Sequence, residues 1–336
     1  MKIAVLAPIA WRTPPLKYGP WEQVTSNIME GLVDKGLDVT LFATGNSQTK
    51  GKLEFISPTA YAEDQDIIPK VWECLHISNL MEKASQYDLI HNHFDYLPLT
   101  YTRLINTPML TTIHGFSSPG IIPVYQKYNE NNYYVSISDS DRSSLLSYVA
   151  TVYNGIEIKN FTFNPHPKDY LLFFGRIHPE KGTYESIKIA KSAGKKLIIS
   201  GLIQDEMYFE NKVKPYINED DVVYVGNSGP RERDRLLGEA FALLHPISFE
   251  EPFGLSVAES QICGTPVIAF KLGSMPELIE DNKTGFLVDN INEAVKAIDK
   301  IEMLNRQDIR KRAISLFSKE KMVESYIKIY QQILDK

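Results

Sequence analysis

The sequence predicts an α/β protein built from two Rossmann-like domains, each a parallel sheet covered by helices. Apolar strand runs alternate with helix-spaced apolar patterns in both halves of the chain. That rhythm breaks once, at 158–168, in a segment with two prolines and no apolar periodicity. The length of 336 residues also exceeds the roughly 100–200 of a single domain.

Taken in order, Lys2–Ala7 carries an unbroken apolar run of the kind found in a sheet buried on both faces. A loop rich in Pro and Gly follows. Between Trp21 and Lys35, Val24, Ile28, Met29, Leu32 and Val33 recur at helical spacing, and Gly36 supplies the stop. Further strands are expected at Val39–Ala43, Leu53–Ser57, Leu89–His91, Met109–Ile113, Tyr133–Ser138 and Thr151–Tyr153, with a helix over Pro69–Ser85. After the break at 158–168, read as an interdomain linker, strands are expected at Tyr170–Phe174, Lys196–Ser200, Val222–Val225, Ala242–His245, Pro266–Ala269 and Gly285–Val288. The final helix follows Ser318, and its stripe of Met322, Val323, Tyr326, Ile329, Tyr330 and Ile333 requires a partner surface. The domains are therefore placed at 1–160 and 161–316, with a C-terminal helix at 317–336.

Composition narrows the function classes. A 43% hydrophobic content supports a real core, and 36 Lys and Arg against 42 Asp and Glu give a net charge of −6, the reverse of a nucleic-acid-binding footprint. Residues 1–165 hold 12 of those cations and 16 of the acids, which argues for a soluble acceptor rather than an anionic lipid surface. No apolar run approaches the ~20 residues of a membrane span, and the opening strand is too short for a signal peptide. Cys74 and Cys263 lie far apart without metal spacing, so a reducing cytoplasm is expected.

Ligands on such sheets bind beyond the carboxyl ends of the strands, so the following loops are where chemistry is sought. Phe174-Gly175-Arg176-Ile177-His178-Pro179-Glu180-Lys181-Gly182 places two cations five residues apart, suited either to a diphosphate or to pairing with neighbouring acids. In Glu250-Glu251-Pro252-Phe253-Gly254-Leu255-Ser256-Val257-Ala258-Glu259, a helix starting near Gly254 would turn the amides of Phe253, Gly254 and Leu255 toward an anion. Its carboxylates at Glu251 and Glu259 would accept from sugar and ribose hydroxyls, or serve as helix-start acids. Tyr18-Gly19-Pro20-Trp21-Glu22 is a phosphate loop or an ordinary turn. Thr111-Thr112-Ile113-His114-Gly115 sets a histidine at a strand end, in a polar or a structural role.

The order and spacing of these signals resemble the family-4 retaining glycosyltransferases of the GT-B fold. The resemblance rests on Gly-Arg-x-x-x-x-Lys-Gly at 175–182, Glu251-Pro-Phe-Gly with Glu259, Cys263-Gly264-Thr265-Pro266-Val267, Gly273-Ser274-Met275-Pro276-Glu277 and Thr284-Gly285-Phe286-Leu287-Val288. Asn154-Gly155-Ile156 and the terminal helix with Tyr326 and Tyr330 match too. It implies two Rossmann-like domains facing a central cleft, with the C-terminal helix crossing back to the N-domain. It also implies a nucleotide-diphosphate sugar held mainly by the C-domain and a hydroxyl-bearing acceptor held by the N-domain. Arg176 and Lys181 match the family's diphosphate pair, Glu251 its donor-sugar carboxylate, Glu259 its ribose carboxylate, His114 its N-domain histidine and Gly19 its glycine loop. The family commonly has a second glycine where Pro20 stands, and proline lacks the amide donor. The loop from Trp11 to Val24 is similar to a subset that includes a pteridine glucosyltransferase.

The resemblance implies retention of anomeric configuration, with UDP-glucose the first donor considered, ahead of GDP-mannose and UDP-N-acetylglucosamine. No cofactor beyond the sugar nucleotide is expected. Asp64-Gln65-Asp66 and Asp139-Ser140-Asp141 have the spacing of a metal site, but Ser138 or Asp139 reads as a helix cap and no metal is expected. A dinucleotide oxidoreductase would need Gly-x-Gly-x-x-Gly after a first strand, where this chain has Ala7-Pro8-Ile9-Ala10 and Gly175-Arg176-Ile177-His178. A sugar-nucleotide epimerase or phosphorylase on the same scaffold, and a non-catalytic nucleotide-sugar-binding protein, remain as alternatives.

Overall fold

The structure, a computed structural model, describes residues 1–116, 118–218 and 220–335. The chain divides into two compact units. The first is Met1–Gly155 joined by the C-terminal segment from Lys319, and the second is Ile156–Ser318. Each is a parallel sheet with crossover helices.

In the first unit β1 (Lys2–Leu6), β2 (Asp38–Phe42), β3 (Lys52–Glu54), β4 (Leu89–Asn92), β5 (Met109–Ile113), β6 (Tyr133–Ser136) and β7 (Tyr148–Thr151) lie in the order β3-β2-β1-β4-β5-β6-β7. Ile3, Ala4, Val5 and Leu6 are fully buried, as the two-sided cover of a central parallel strand demands. In the second unit β8 (Tyr170–Phe174), β9 (Lys196–Ser200), β10 (Val222–Tyr224), β11 (Ala242–His245), β12 (Val267–Phe270) and β13 (Gly285–Val288) take the order β10-β9-β8-β11-β12-β13. Strand order reverses between β1 and β4 in one sheet and between β8 and β11 in the other. Those are the switch points where a doubly wound sheet opens a crevice for ligands.

Three expectations are corrected. The last strand of the first sheet is Tyr148–Thr151, not Thr151–Tyr153. It is an edge strand whose register shifts between Tyr134 and Val135, and its residues are only partly buried, so it carries no apolar run to read. No helix follows Ser138; Asp139 instead accepts from Thr151 Oγ1 at 2.5 Å in a loop. The segment 158–168 belongs to the second unit, whose boundary falls at Gly155–Ile156. There Arg306 Nε donates to Asn164 O at 2.7 Å, Arg310 Nη1 to Phe161 O at 3.3 Å, and Thr162 N to Asp234 Oδ1 at 2.7 Å. Long-range partners thus satisfy a backbone that locally looks like linker.

The C-terminal helix, Lys319–Leu334, buries Met322, Val323, Tyr326, Ile329, Tyr330 and Ile333 within the first unit, partly against the helix Pro20–Asp34. That accounts for the apolar stripe. None of the described helices is long and apolar enough to cross a membrane.

The two helices meet at Gly31, where an added Cβ would stand 2.4 Å from Val323 Cγ2. Gly31→Ala is therefore expected to destabilise the protein by about 1–3 kcal/mol despite alanine's better helix propensity. In a Val323→Ala background the same change should become neutral or stabilising. Urea denaturation of the two single variants and the double variant checks this, and simple additivity would contradict the contact.

Candidate functional site

In the second unit the candidate residues gather on the loops after β8 and β11, on either side of the switch point. The β8 loop runs through Arg176 to a single turn at Pro179–Lys181, then enters the helix Thr183–Ser192 at Gly182. Gly182 has φ +76°, and a Cβ there would lie 2.0 Å from Pro246 O, so only glycine lets the two loops touch. Ser248 N donates to Glu180 O at 2.9 Å and fastens them further.

This closure sets the charges. Lys181 Nζ hydrogen-bonds Glu251, both side chains largely buried, and also lies 4.6 Å from the Phe249 ring centroid. His245 Nε2, at the end of β11, stands 3.7 Å from Glu251 Oε2, near enough for an electrostatic contact but too far for a hydrogen bond. Burial alone would raise the Glu251 carboxyl, yet the His245 imidazole and the Lys181 ammonium overcome it and hold the group down to about 2. Glu251 is thus an ionised acceptor, suited to hydroxyl donors. Arg176 donates instead to Gln204 Oε1 on the exposed side of its loop.

The helix begins at Leu255 with Gly254 as N-cap at φ +87°, and no side chain caps it. Its N-terminus therefore keeps the partial positive charge of uncapped amides. Phe253 turns its ring inward, edge-on to Phe317 with centroids 5.9 Å apart. Glu259 lies inside the helix, where Arg233 Nη1 donates to Oε1 at 3.1 Å. Burial raises its carboxyl and Arg233 only partly offsets this. Ser274 N donates to Glu251 O at 3.0 Å and Ser274 Oγ to Phe253 O at 2.7 Å, so the Gly273-Ser274 segment braces the loop from behind.

In the first unit Gly19 caps the helix Pro20–Asp34 at φ +149°, packed against Pro15. Pro20 occupies the first helical position, where a missing amide disrupts no helical bond. His114, just past β5, stacks on Trp21 with centroids 5.5 Å apart, and its Nε2 lies 2.9 Å from His93 Nδ1. Burial pulls His114 down to about 3, so its ring is neutral. Both Asp-x-Asp stretches are turn formers. Asp64 accepts from Thr59 Oγ1 and from Asp66 N, and among the described residues no cluster of three His, Cys, Asp or Glu side chains is arranged to hold a metal ion.

The structure brings Lys181 and Glu251 together but hands Glu259 to Arg233 and Arg176 to Gln204. Sequence reasoning missed Arg233, Gln204, His91, His93 and Glu22. For the histidines a signal existed, since His91-Asn92-His93 alternates at a strand's carboxyl end. Arg233 sits on a polar helix with no local mark. Glu22 is buried beneath the Gly19 loop and accepts from Trp11 N at 3.1 Å, with its carboxyl pushed up by burial to about 7.

Residues 156–316 match the Glycosyl transferases group 1 family. Among curated relatives, an uncharacterized 41.2 kDa protein in the cps region of Klebsiella pneumoniae is 31% identical over 218 residues, covering 60% of each chain. A D-inositol 3-phosphate glycosyltransferase of Arthrobacter sp. (strain FB24) is 26% identical over 65% of this chain and 62% of its own length. The chain thus spans about 60% of these relatives. Among solved structures, sucrose-phosphate synthase from Thermosynechococcus elongatus superposes with TM-score 0.80 at 20% identity, covering 100% of this chain and 99% of that one. Anabaena HepE in complex with UDP-glucose does so with TM-score 0.74 at 18% identity, covering 99% and 100%. The architecture is GT-B, and the residues that match the group 1 glycosyltransferase model coincide with the second unit.

Because the Glu251 carboxyl falls from its usual 4.5 to about 2 on folding, its contribution to stability is in place above pH 4.5 and disappears as pH drops toward 2. The melting-temperature gap between wild type and Glu251→Gln should stay constant above pH 5 and shrink steadily between pH 5 and 3. A gap that widens with acid would place the carboxyl in another environment.

Proposed function

We propose that this protein is a retaining, metal-independent hexosyltransferase that moves a hexose from a nucleotide-diphosphate sugar, UDP-glucose first, to a hydroxyl acceptor. The observation that carries the proposal is the buried Lys181–Glu251 pair beside an uncapped helix N-terminus, on the two loops flanking the second sheet's switch point. A cation and amide dipoles suit a diphosphate, and an ionised carboxylate suits the hydroxyls of the attached sugar. Arg176, which donates to Gln204, supplies a second cation that can turn to a phosphate. Glu259 and Arg233 offer a carboxylate and a guanidinium further along for the ribose. Two unpaired cysteines support a cytoplasmic location.

In the reaction the bond between the anomeric carbon and the β-phosphate oxygen breaks, and the acceptor oxygen bonds to that carbon on the same face. The acceptor's proton passes to the departing phosphate oxygen. Lys181, Arg176 and the helix amides meet the charge that grows on the diphosphate, where a preorganised donor is worth roughly 3–4 kcal/mol. Glu251 is a poor nucleophile for the alternative, a covalent glycosyl-enzyme, because Lys181 already engages its Oε2 and offsets the carboxylate's charge. The acceptor is assigned to the first unit, whose acidic balance favours a soluble compound.

Four measurements test this reading. Among UDP, GDP and ADP, UDP should raise the melting temperature most, since a ligand at a hundred times its dissociation constant stabilises by about 2.7 kcal/mol. Arg176→Ala should weaken UDP binding about tenfold without unfolding the protein. Lys181→Ala is a poorer probe, because stranding buried Glu251 costs about 3–5 kcal/mol of stability; Lys181→Met with Glu251→Gln removes both charges and isolates the binding loss. Intact-mass spectrometry during turnover should show no glycosyl adduct on Glu251, and an adduct there would overturn same-face substitution. Donor incubated alone should keep its sugar unchanged, since a new epimer would mark an epimerase.

A further inference from the structure

The first unit holds a buried array of imidazoles that the proposed transfer does not itself explain. His91 and His93 share one face at the end of β4, with ring centroids 4.0 Å apart. His91 is held on both sides: Nδ1 lies 2.7 Å from Tyr330 Oη and Nε2 2.8 Å from Thr112 Oγ1, which in turn meets Tyr326 Oη at 2.8 Å. His93, fully buried, reaches His114 Nε2 through its Nδ1 at 2.9 Å. Its other nitrogen, Nε2, is buried with no hydrogen-bond partner among the described residues.

We propose that His93 is a positioning residue that fixes His114 as its Nδ1–H tautomer, so that His114 meets a ligand oxygen as a hydrogen-bond donor and not as a base. The contact between the two rings holds one proton. If His114 Nε2 carried it, His93 Nδ1 would be the acceptor, and the neutral His93 ring would have to keep its own proton on Nε2, a buried N–H with nothing to receive it. If His93 Nδ1 carries it, His93 Nε2 is only an unused lone pair. Buried orphan N–H groups are the rarer of the two in folded proteins. His114 then accepts at Nε2 and must bear its proton on Nδ1, which bonds to none of the described residues. Burial disfavours a second proton on either ring. The tyrosines of the C-terminal helix take both nitrogens of His91 out of play, directly or through Thr112, so His91 cannot relieve His93.

The tautomer assignment stands on the first unit alone; its consequence for transfer rests on the function proposed above. Two-bond 1H–15N correlation spectra of histidine-labelled protein at pH 7 should show His93 and His114 both as Nδ1–H. His93→Asn keeps a donor nitrogen near the position of Nδ1, and His114 should remain Nδ1–H. In His93→Asp an acceptor replaces that donor, and His114 should move to Nε2–H. With donor and acceptor, kcat/KM should fall about tenfold in His93→Asp and be retained in His93→Asn. An Nε2–H pattern for His114 in the wild-type protein, or one tautomer in all variants that fold, overturns the proposal. If the tautomers respond as stated while transfer is unaffected or undetectable, the positioning role of His93 in the ring pair stands and the transferase role assigned to His114 fails.

Discussion

Parallel strands cannot be joined by tight hairpins, so every connection in these sheets is a crossover, and every strand's carboxyl end opens into a loop on the same edge. Everything chemical in this protein depends on that constraint. It places Gly19 after β1 and His93 after β4 on either side of one reversal, and Lys181 after β8 and Glu251 after β11 on either side of the other. Residues separated by 70 positions, as Lys181 and Glu251 are, become hydrogen-bonded neighbours because the two strands that carry them lie side by side.

The second consequence is electrostatic. A protein of net charge −6 offers no general attraction to an anion, so any affinity for a diphosphate must be local. Lys181 is held in a nearly dry position by Glu251 and Phe249, where its charge is poorly screened. A buried pair of this kind adds little to stability compared with apolar residues of the same volume. Its retention makes more sense as preorganisation: the carboxylate keeps the ammonium aimed, and the ammonium helps keep the carboxylate ionised for hydroxyl donors. The Gly273-Ser274 brace and the Gly182 contact with Pro246 act on the same pair from two sides.

How far the sequence could be read follows the same physics. Met109–Ile113, Tyr170–Phe174, Lys196–Ser200 and Ala242–His245 were legible to the residue because interior strands of a covered sheet leave contiguous apolar runs. Tyr148–Thr151 was not, because an edge strand needs no such run. The segment 158–168 looked like linker because its partners, Arg306, Arg310 and Asp234, lie far along the chain. The loops carrying Arg176, Lys181, Glu251 and Glu259 were legible as sites, but their partners were not. Which acid Lys181 would meet, and that Glu259 would meet Arg233, are facts of tertiary packing with no periodic trace.

The C-terminal helix joins these points. Its six-residue apolar stripe could have been satisfied by any apolar surface, and hydrophobic burial alone would not require two tyrosines in it. Buried phenols must find hydrogen-bond partners. Tyr330 finds His91 and Tyr326 finds Thr112, which itself meets His91. The helix therefore does more than close the first unit's core. By saturating His91 it leaves His93 with one place to send its proton, and the identity of the group that His114 presents at the end of β5 follows from residues more than 200 positions later in the chain.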